Sequence, residues 1–187
     1  MRKILLLLTS IMMVFGMVAC GGSNKEKGEE NSNTPEATVT TLLEAIKTLD
    51  QTTINQCVAE DDKMYTANIG EEQDAFIFEN LTYNIESVHT NEGRAIVTVE
   101  LSNVNMTEAL QTYLENVMSL GEEAQTLTEE ETIARLKEAV EQNKENTISR
   151  TMDLELNQVE DGQWKVKTTD DFLSIISGGM ADEMAFE

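Results

Sequence analysis

Residues 81–101 read LTYNIESVHTNEGRAIVTVEL, two runs of alternating apolar and polar side chains on either side of Asn91-Glu92-Gly93. Leu81, Tyr83 and Ile85 share one face of the first run, and Ala95, Val97, Val99 and Leu101 share one face of the second. This period of two belongs to strands half-buried in an antiparallel sheet. A three-residue turn with Gly93 left-handed pairs Ile85 with Val99 and Tyr83 with Leu101, whereas a two-residue turn sets them on opposite faces. A second hairpin repeats the logic around Glu160-Asp161-Gly162: Leu156 then faces Val166, Leu154 faces Thr168, and Trp164 lies beside Gln158.

The flanking segments carry helical periods. Thr34-Pro35-Glu36 reads as N-cap, N1 proline and first-turn acid, and Val39, Leu42, Leu43, Ile46 and Leu49 follow on one stripe. Asp50 caps a short helix with Ile54, Cys57 and Val58 inward. Between the hairpins lies a helical pair at about 107–148. Its first helix is capped by Thr107, carries Leu110, Tyr113, Leu114, Val117 and Met118, and ends at Gly121. Its second opens on the capping box Thr128 and Glu131 and carries Ile133, Leu136 and Val140. The chain re-enters a strand near Arg150. Asp170 or Asp171 caps a last helix with Phe172, Leu173 and Ile176, interrupted at Gly178-Gly179. Met64, Tyr65 and Ile69 are the expected inward contacts of the polar stretch 60–75. The expected fold class is therefore α+β, a curved antiparallel sheet packed on helices, in one domain at 34–187 with the pair as an insertion.

The amino end has a different character. Arg2 and Lys3 precede an apolar run from Ile4 to Val18, and Ala19 stands directly before Cys20. That is a secretory leader with a small residue at the cleavage point, too short to span a bilayer stably. Met17-Val18-Ala19-Cys20 resembles the lipobox of bacterial lipoproteins, with Met17 where that pattern usually has Leu. The resemblance implies removal of residues 1–19 and an anchor on Cys20, a diacylglycerol on its sulfur and an acyl chain such as palmitate. Residues 21–33, GGSNKEKGEENSN, contain no apolar side chain, so 20–33 reads as a lipidated flexible tether.

Charge narrows the partners. The 187 residues carry 35 Asp and Glu against 13 Lys and Arg, a net of −22, and lose two more cations with the leader. Nucleic acid, which needs a cationic footprint, is excluded as a partner, and anionic lipid repels the domain. The expected location is thus extracytoplasmic, in the cell envelope, held to the membrane by the lipid. Cys57 is the only other cysteine, so no intramolecular disulfide forms once Cys20 is acylated, and its apolar stripe favours a buried, inert thiol.

The element order, with Pro35 to Asp50 as an opening helix, Phe78 to Tyr83 before the first long strand, Leu81 to Met106 around Gly93, and Val159 to Val166 with its Glu-Asp-Gly-Gln-Trp-Lys-Val, resembles the nuclear-transport-factor-two-like lipoproteins of Gram-positive bacteria, many of them domains of unknown function. The resemblance implies a cone whose wide end can be a pocket. Catalytic relatives place a carboxylate, Tyr or His inside such a cone. Here His89 is the only histidine and sits beside the first turn, on the rim or in solvent. No Ser-His-Asp order, HExxH or Cys-x-x-Cys occurs, and no Gly-rich phosphate cradle follows a strand. The acidic clusters Asp61-Asp62, Glu71-Glu72 with Asp74, Glu129 to Glu131 and Asp170-Asp171 lack the spacing of a calcium loop and read as solvated faces and caps. No catalytic, cofactor or metal site is expected. Tyr65, Tyr83, Tyr113 and Trp164 are the candidate pocket lining. The expected function is a non-enzymatic module that binds a small apolar ligand or an envelope protein. An isomerase or dehydratase with one buried carboxylate is the alternative.

Overall fold

The alternation at 81–101 becomes a real hairpin. In the computed structural model, which describes residues 33–62 and 72–180, β1 (Thr82–Asn91) and β2 (Arg94–Val104) pair antiparallel. β3 (Thr147–Gln158) pairs with β2 along its whole length, and the short β4 (Trp164–Val166) pairs with β3. The order in the open sheet is β1-β2-β3-β4.

The first turn differs from expectation in an instructive way. Asn91 pairs with Arg94, so the turn has two residues, Glu92 and Gly93, both with positive φ (45° and 79°). This type of turn matches the strand twist but shifts the register by one. A β-bulge at Glu86, between Ile85 and Ser87, restores it, so Ile85 faces Val99 and Tyr83 faces Leu101 as the apolar pattern demands. Burial fixes the register, and the bulge absorbs the mismatch. At the second turn Gly162 is left-handed (φ 84°), Leu156 pairs with Val166 and Gln158 with Trp164, as the sequence implies. β4 stops at Val166, so the Leu154–Thr168 pair does not form. Thr168 instead donates its N–H to Asp62 Oδ2 at 2.9 Å.

Helices cover one face. In α1 (Pro35–Lys47) Thr34 accepts the N–H of Ala37, and Val39, Leu42, Leu43 and Ile46 are buried against the sheet's inward residues Val97, Val99, Leu101, Leu154, Leu156 and Val166. α2 (Gln51–Cys57), capped by Asp50, adds Ile54 and Cys57. Each large aliphatic side chain withdrawn in this way contributes about 1.5–3 kcal/mol. Two 3-10 turns, Glu60–Asp62 and Glu72–Ile77, lead into β1.

The helical pair is α3 (Met106–Met118) and α4 (Glu129–Gln142), joined through a 3-10 turn at Gly121–Thr126. It is rooted in a second, smaller core of Phe76, Val104, Met106, Ala109 and Val140 at the end of β2. The cap of α3 is Asn105 rather than Thr107, because the helix begins two residues earlier and Asn105 Oδ1 accepts the N–H of Glu108. The capping box of Thr128 and Glu131 forms in full. Strand β3 starts at Thr147, three residues before Arg150.

α5 (Asp170–Ile176) is capped by Thr169. Asp170 and Asp171 fill its first turn, where carboxylates face the positive helix end. It adds Phe172, Ile175 and Ile176 to the main core, at the same end of β2 as the root of α3. Gly178 follows with φ 65°, and its carbonyl accepts the N–H of Met106 at 2.9 Å. A Cβ there would lie 2.3 Å from Val104 O, so the approach of α5 to the root of α3 requires glycine. The described residues from Asn33 onward make one compact unit with its own core, the property of a segment that folds alone.

Candidate functional site

The leader, Cys20, the tether to residue 32, and Met64, Tyr65 and Ile69 lie outside the described residues. The other three candidate aromatics occupy separate places. Tyr83 sits on the edge strand β1, half-buried, and donates its hydroxyl to Glu44 Oε1 at 2.9 Å. Burial, followed by that bond to Glu44, raises the phenol above its ordinary value of 10.0. Trp164 is buried on β4, at the opposite edge of the sheet. Tyr113 is half-buried on α3, beyond the sheet's end.

Trp164 borders an open groove of about 430 Å³, together with Cys57, Gln56, Thr41, Asp161 and Gln163. Its polar walls are largely engaged. Lys165 Nζ donates to Gln56 O and Gln163 Oε1, Gln163 N donates to Asp161 Oδ1, and Asn33 Nδ2 donates to Gly162 O. Burial raises the Cys57 thiol above its ordinary value of 9.0, and the Lys165 charge opposes this only in part. The neutral thiol is a poor nucleophile, which agrees with a packing role. His89 is exposed on the outer face, paired with Ile96, and borders a shallow groove with Thr90, Asn91 and Arg94.

No carboxylate is among the described buried side chains; the buried polar ones are Asn103, Asn143 and Ser174. Among the described residues no three His, Cys, Asp or Glu gather as a metal set, and no buried side-chain polar atom lacks a partner. Of the acidic clusters, Asp62 holds Thr168, Glu131 closes the capping box and Asp171 pairs with Arg150. The side chains of Glu71, Glu72 and Asp74 lie outside the described residues.

Asn103 was not legible as a key residue by motif, though the alternation Ala95, Val97, Val99, Leu101 places it next on the inward face. Fully buried, it donates from Nδ2 to Ile77 O (3.0 Å) and Ile176 O (2.7 Å). Its Oδ1 accepts the N–H of Val104 at 2.9 Å. It therefore joins β2, α5 and the 3-10 turn before β1. Asn143 does similar work in the helical pair, donating to Thr112 Oγ1 and Ala139 O.

The pair itself carries the most exposed large apolar side chains. Leu114 is 56% and Met118 79% exposed, on one face of α3, while Leu110, Tyr113 and Val117 are half-buried. The exposed Val88 and Ile96 lie instead on opposite faces of the sheet.

No family model matches the chain, and no curated protein matches it. Among solved structures it is similar to a protein of Bacillus subtilis, YcdA, assigned as a lipoprotein, at 13% identity and a TM-score of 0.41. The match covers 77% of this chain and 58% of that one, and at that score neither fold nor function passes from one to the other. The described residues form an α+β fold with a four-stranded antiparallel sheet, and none of their helices is long and apolar enough to cross a membrane.

Proposed function

We propose that the protein is an extracytoplasmic lipoprotein, cleaved before Cys20 and anchored by acyl chains on that residue, whose cone-type domain, of nuclear-transport-factor-two-like kind, is a non-enzymatic protein-interaction module. The observation that carries the interaction role is the filling of the sheet's helix-covered face. Val97, Val99, Leu101, Leu154 and Leu156 meet Val39, Leu42, Leu43 and Ile46 with at most 1% of any side chain exposed. A small-molecule binder of this architecture needs a hollow there, and an isomerase or dehydratase needs an inward carboxylate. The described core is apolar apart from bonded amides and one serine, which favours the interaction reading over both.

A thermal-shift screen of the chain from residue 21 onward, against small apolar and amphipathic metabolites, tests it. A bound ligand at a hundred times its Kd adds about 2.7 kcal/mol, a shift of several degrees. The reading predicts no saturable shift with any compound. A saturable rise overturns it in favour of a small-molecule site.

A further inference from the structure

The surface by which such a module holds its partner can be located. Gln111, Leu114, Glu115 and Met118 follow at i, i+3, i+4 and i+7, so they form one stripe along α3. The opposite side of α3 packs on α4, leaving the Leu114–Met118 stripe without a covering element among the described residues. The segment that leads from it to α4 is acidic, with Arg135 on α4 close enough to act on Glu131. From Glu115 to Glu131 the chain carries six glutamates, all exposed, and no Lys or Arg.

The position in the fold is also informative. The chain enters the domain at Asn33, bonded to Gly162 in the β3–β4 turn, which Gln158 links to Gly93 in the β1–β2 turn. The helical pair is rooted at the other end of β2. Eleven strand residues separate the two ends, about 33 Å.

We propose that the Leu114–Met118 stripe and the exposed glutamates between Glu115 and Glu131 are a docking site for a cationic amphipathic segment of an envelope protein. The two exposed side chains supply an apolar anchor, and unbranched Met118 adapts to the partner's shape. The glutamates select a partner with Lys or Arg flanking its apolar face and set its approach. They also argue against a second copy of this chain. Two such tips, each on a chain of net charge −22, repel within the Debye length of about 8 Å at physiological salt. This inference rests on the interaction reading above and assigns it a surface.

The test titrates the chain from residue 21 onward into a fluorescein-labelled 14-residue peptide of Lys and Leu arranged as an amphipathic helix, read by anisotropy. A peptide of equal charge with every Leu replaced by Ser is the control. Saturable binding to the Lys/Leu peptide is expected, at least tenfold weaker for the Ser peptide and for the Leu114→Ser/Met118→Ser variant. A second variant, Glu122→Gln/Glu123→Gln, leaves the apolar packing untouched. It should weaken binding about threefold or more and flatten its salt dependence. Equal binding by the wild type and the Leu114→Ser/Met118→Ser variant, with both melting alike, overturns the site, as does equal binding of the two peptides. Sedimentation showing a dimer that the Leu114→Ser/Met118→Ser variant dissolves places a second copy on the stripe and also overturns it. Each of these failures moves the contact elsewhere and leaves the interaction reading standing, since that reading falls only to a stabilising small molecule.

Discussion

Asn103 does two things at once that an apolar residue cannot. It fills an inward position of β2 and it satisfies the carbonyls of Ile77 and Ile176. Replacing it by Leu keeps the volume but strands those acceptors in the core. Asn103→Leu should therefore cost about 3 kcal/mol in urea unfolding, a loss each orphaned carbonyl shares. Gly178 is constrained by contact rather than by hydrogen bonding alone. With φ at 65° and Val104 O at 2.3 Å from any added Cβ, Gly178→Ala should cost about 3 kcal/mol or more, whereas Gly121→Ala, with open space around it, meets only the backbone penalty of about 1 kcal/mol. A similar loss at both glycines would remove the argument from close approach. The sequence marks Gly178-Gly179 only as a helix stop; that the stop touches Val104, 74 residues earlier in the chain, is a long-range fact with no local signal.

At the scale of elements, the apolar period identified both hairpins, and the capping chemistry located α1, α2 and α4. What it missed was the division of labour in the first hairpin. The pairs Ile85–Val99 and Tyr83–Leu101 follow from which side chains must be buried. The turn follows from local twist, and the bulge at Glu86 reconciles the two. Glu92 sits in that turn with φ 45°, a conformation that Asn adopts more readily. Glu92→Asn should stabilise the domain by about 0.5–1 kcal/mol, seen as a higher urea midpoint at unchanged slope. The capping box of α4 makes a pH-dependent contribution. The N–H and hydroxyl of Thr128 hold the Glu131 carboxyl below its ordinary 4.5. A lowered folded value means the stabilisation is complete above pH 4.5 and is lost as pH falls through the folded value. Glu131→Gln should therefore melt below the wild type at pH 7, and the gap should close on acidification below pH 4.5; a gap constant with pH would refute the cap's contribution.

At the scale of the molecule, a sheet face filled by its own helices belongs to a strongly acidic chain, whose proposed leader ends at Ala19. Cys57 reports on the filled face. Buried against Ile54 and Trp164's strand, with its thiol raised by desolvation, it should resist iodoacetamide in the native state and react on unfolding. Rapid native labelling would mean that the groove beside Trp164 opens further than its 430 Å³. The candidate aromatics illustrate why a site was less legible than a fold. Composition says that a Tyr or Trp has an apolar body and a polar tip, but only topology says that Tyr83 and Trp164 stand on opposite edges of a four-stranded sheet. The exposed stripe on α3 was hidden for the converse reason. Leu114 and Met118 share a helical period with Leu110 and Val117, and the period alone does not distinguish a face packed on α4 from one that turns past it.

The central claim, that this acidic module is held at a membrane by its first mature residue, is tested most directly by mass spectrometry of the N-terminal peptide of the full chain expressed in a bacterium and recovered from its membrane fraction. The account predicts a peptide that begins at Cys20 and carries the added mass of a diacylglycerol, and it predicts that Cys20→Ser abolishes that species. A mature chain starting elsewhere, or an unmodified Cys20 on protein released to the medium, would contradict it.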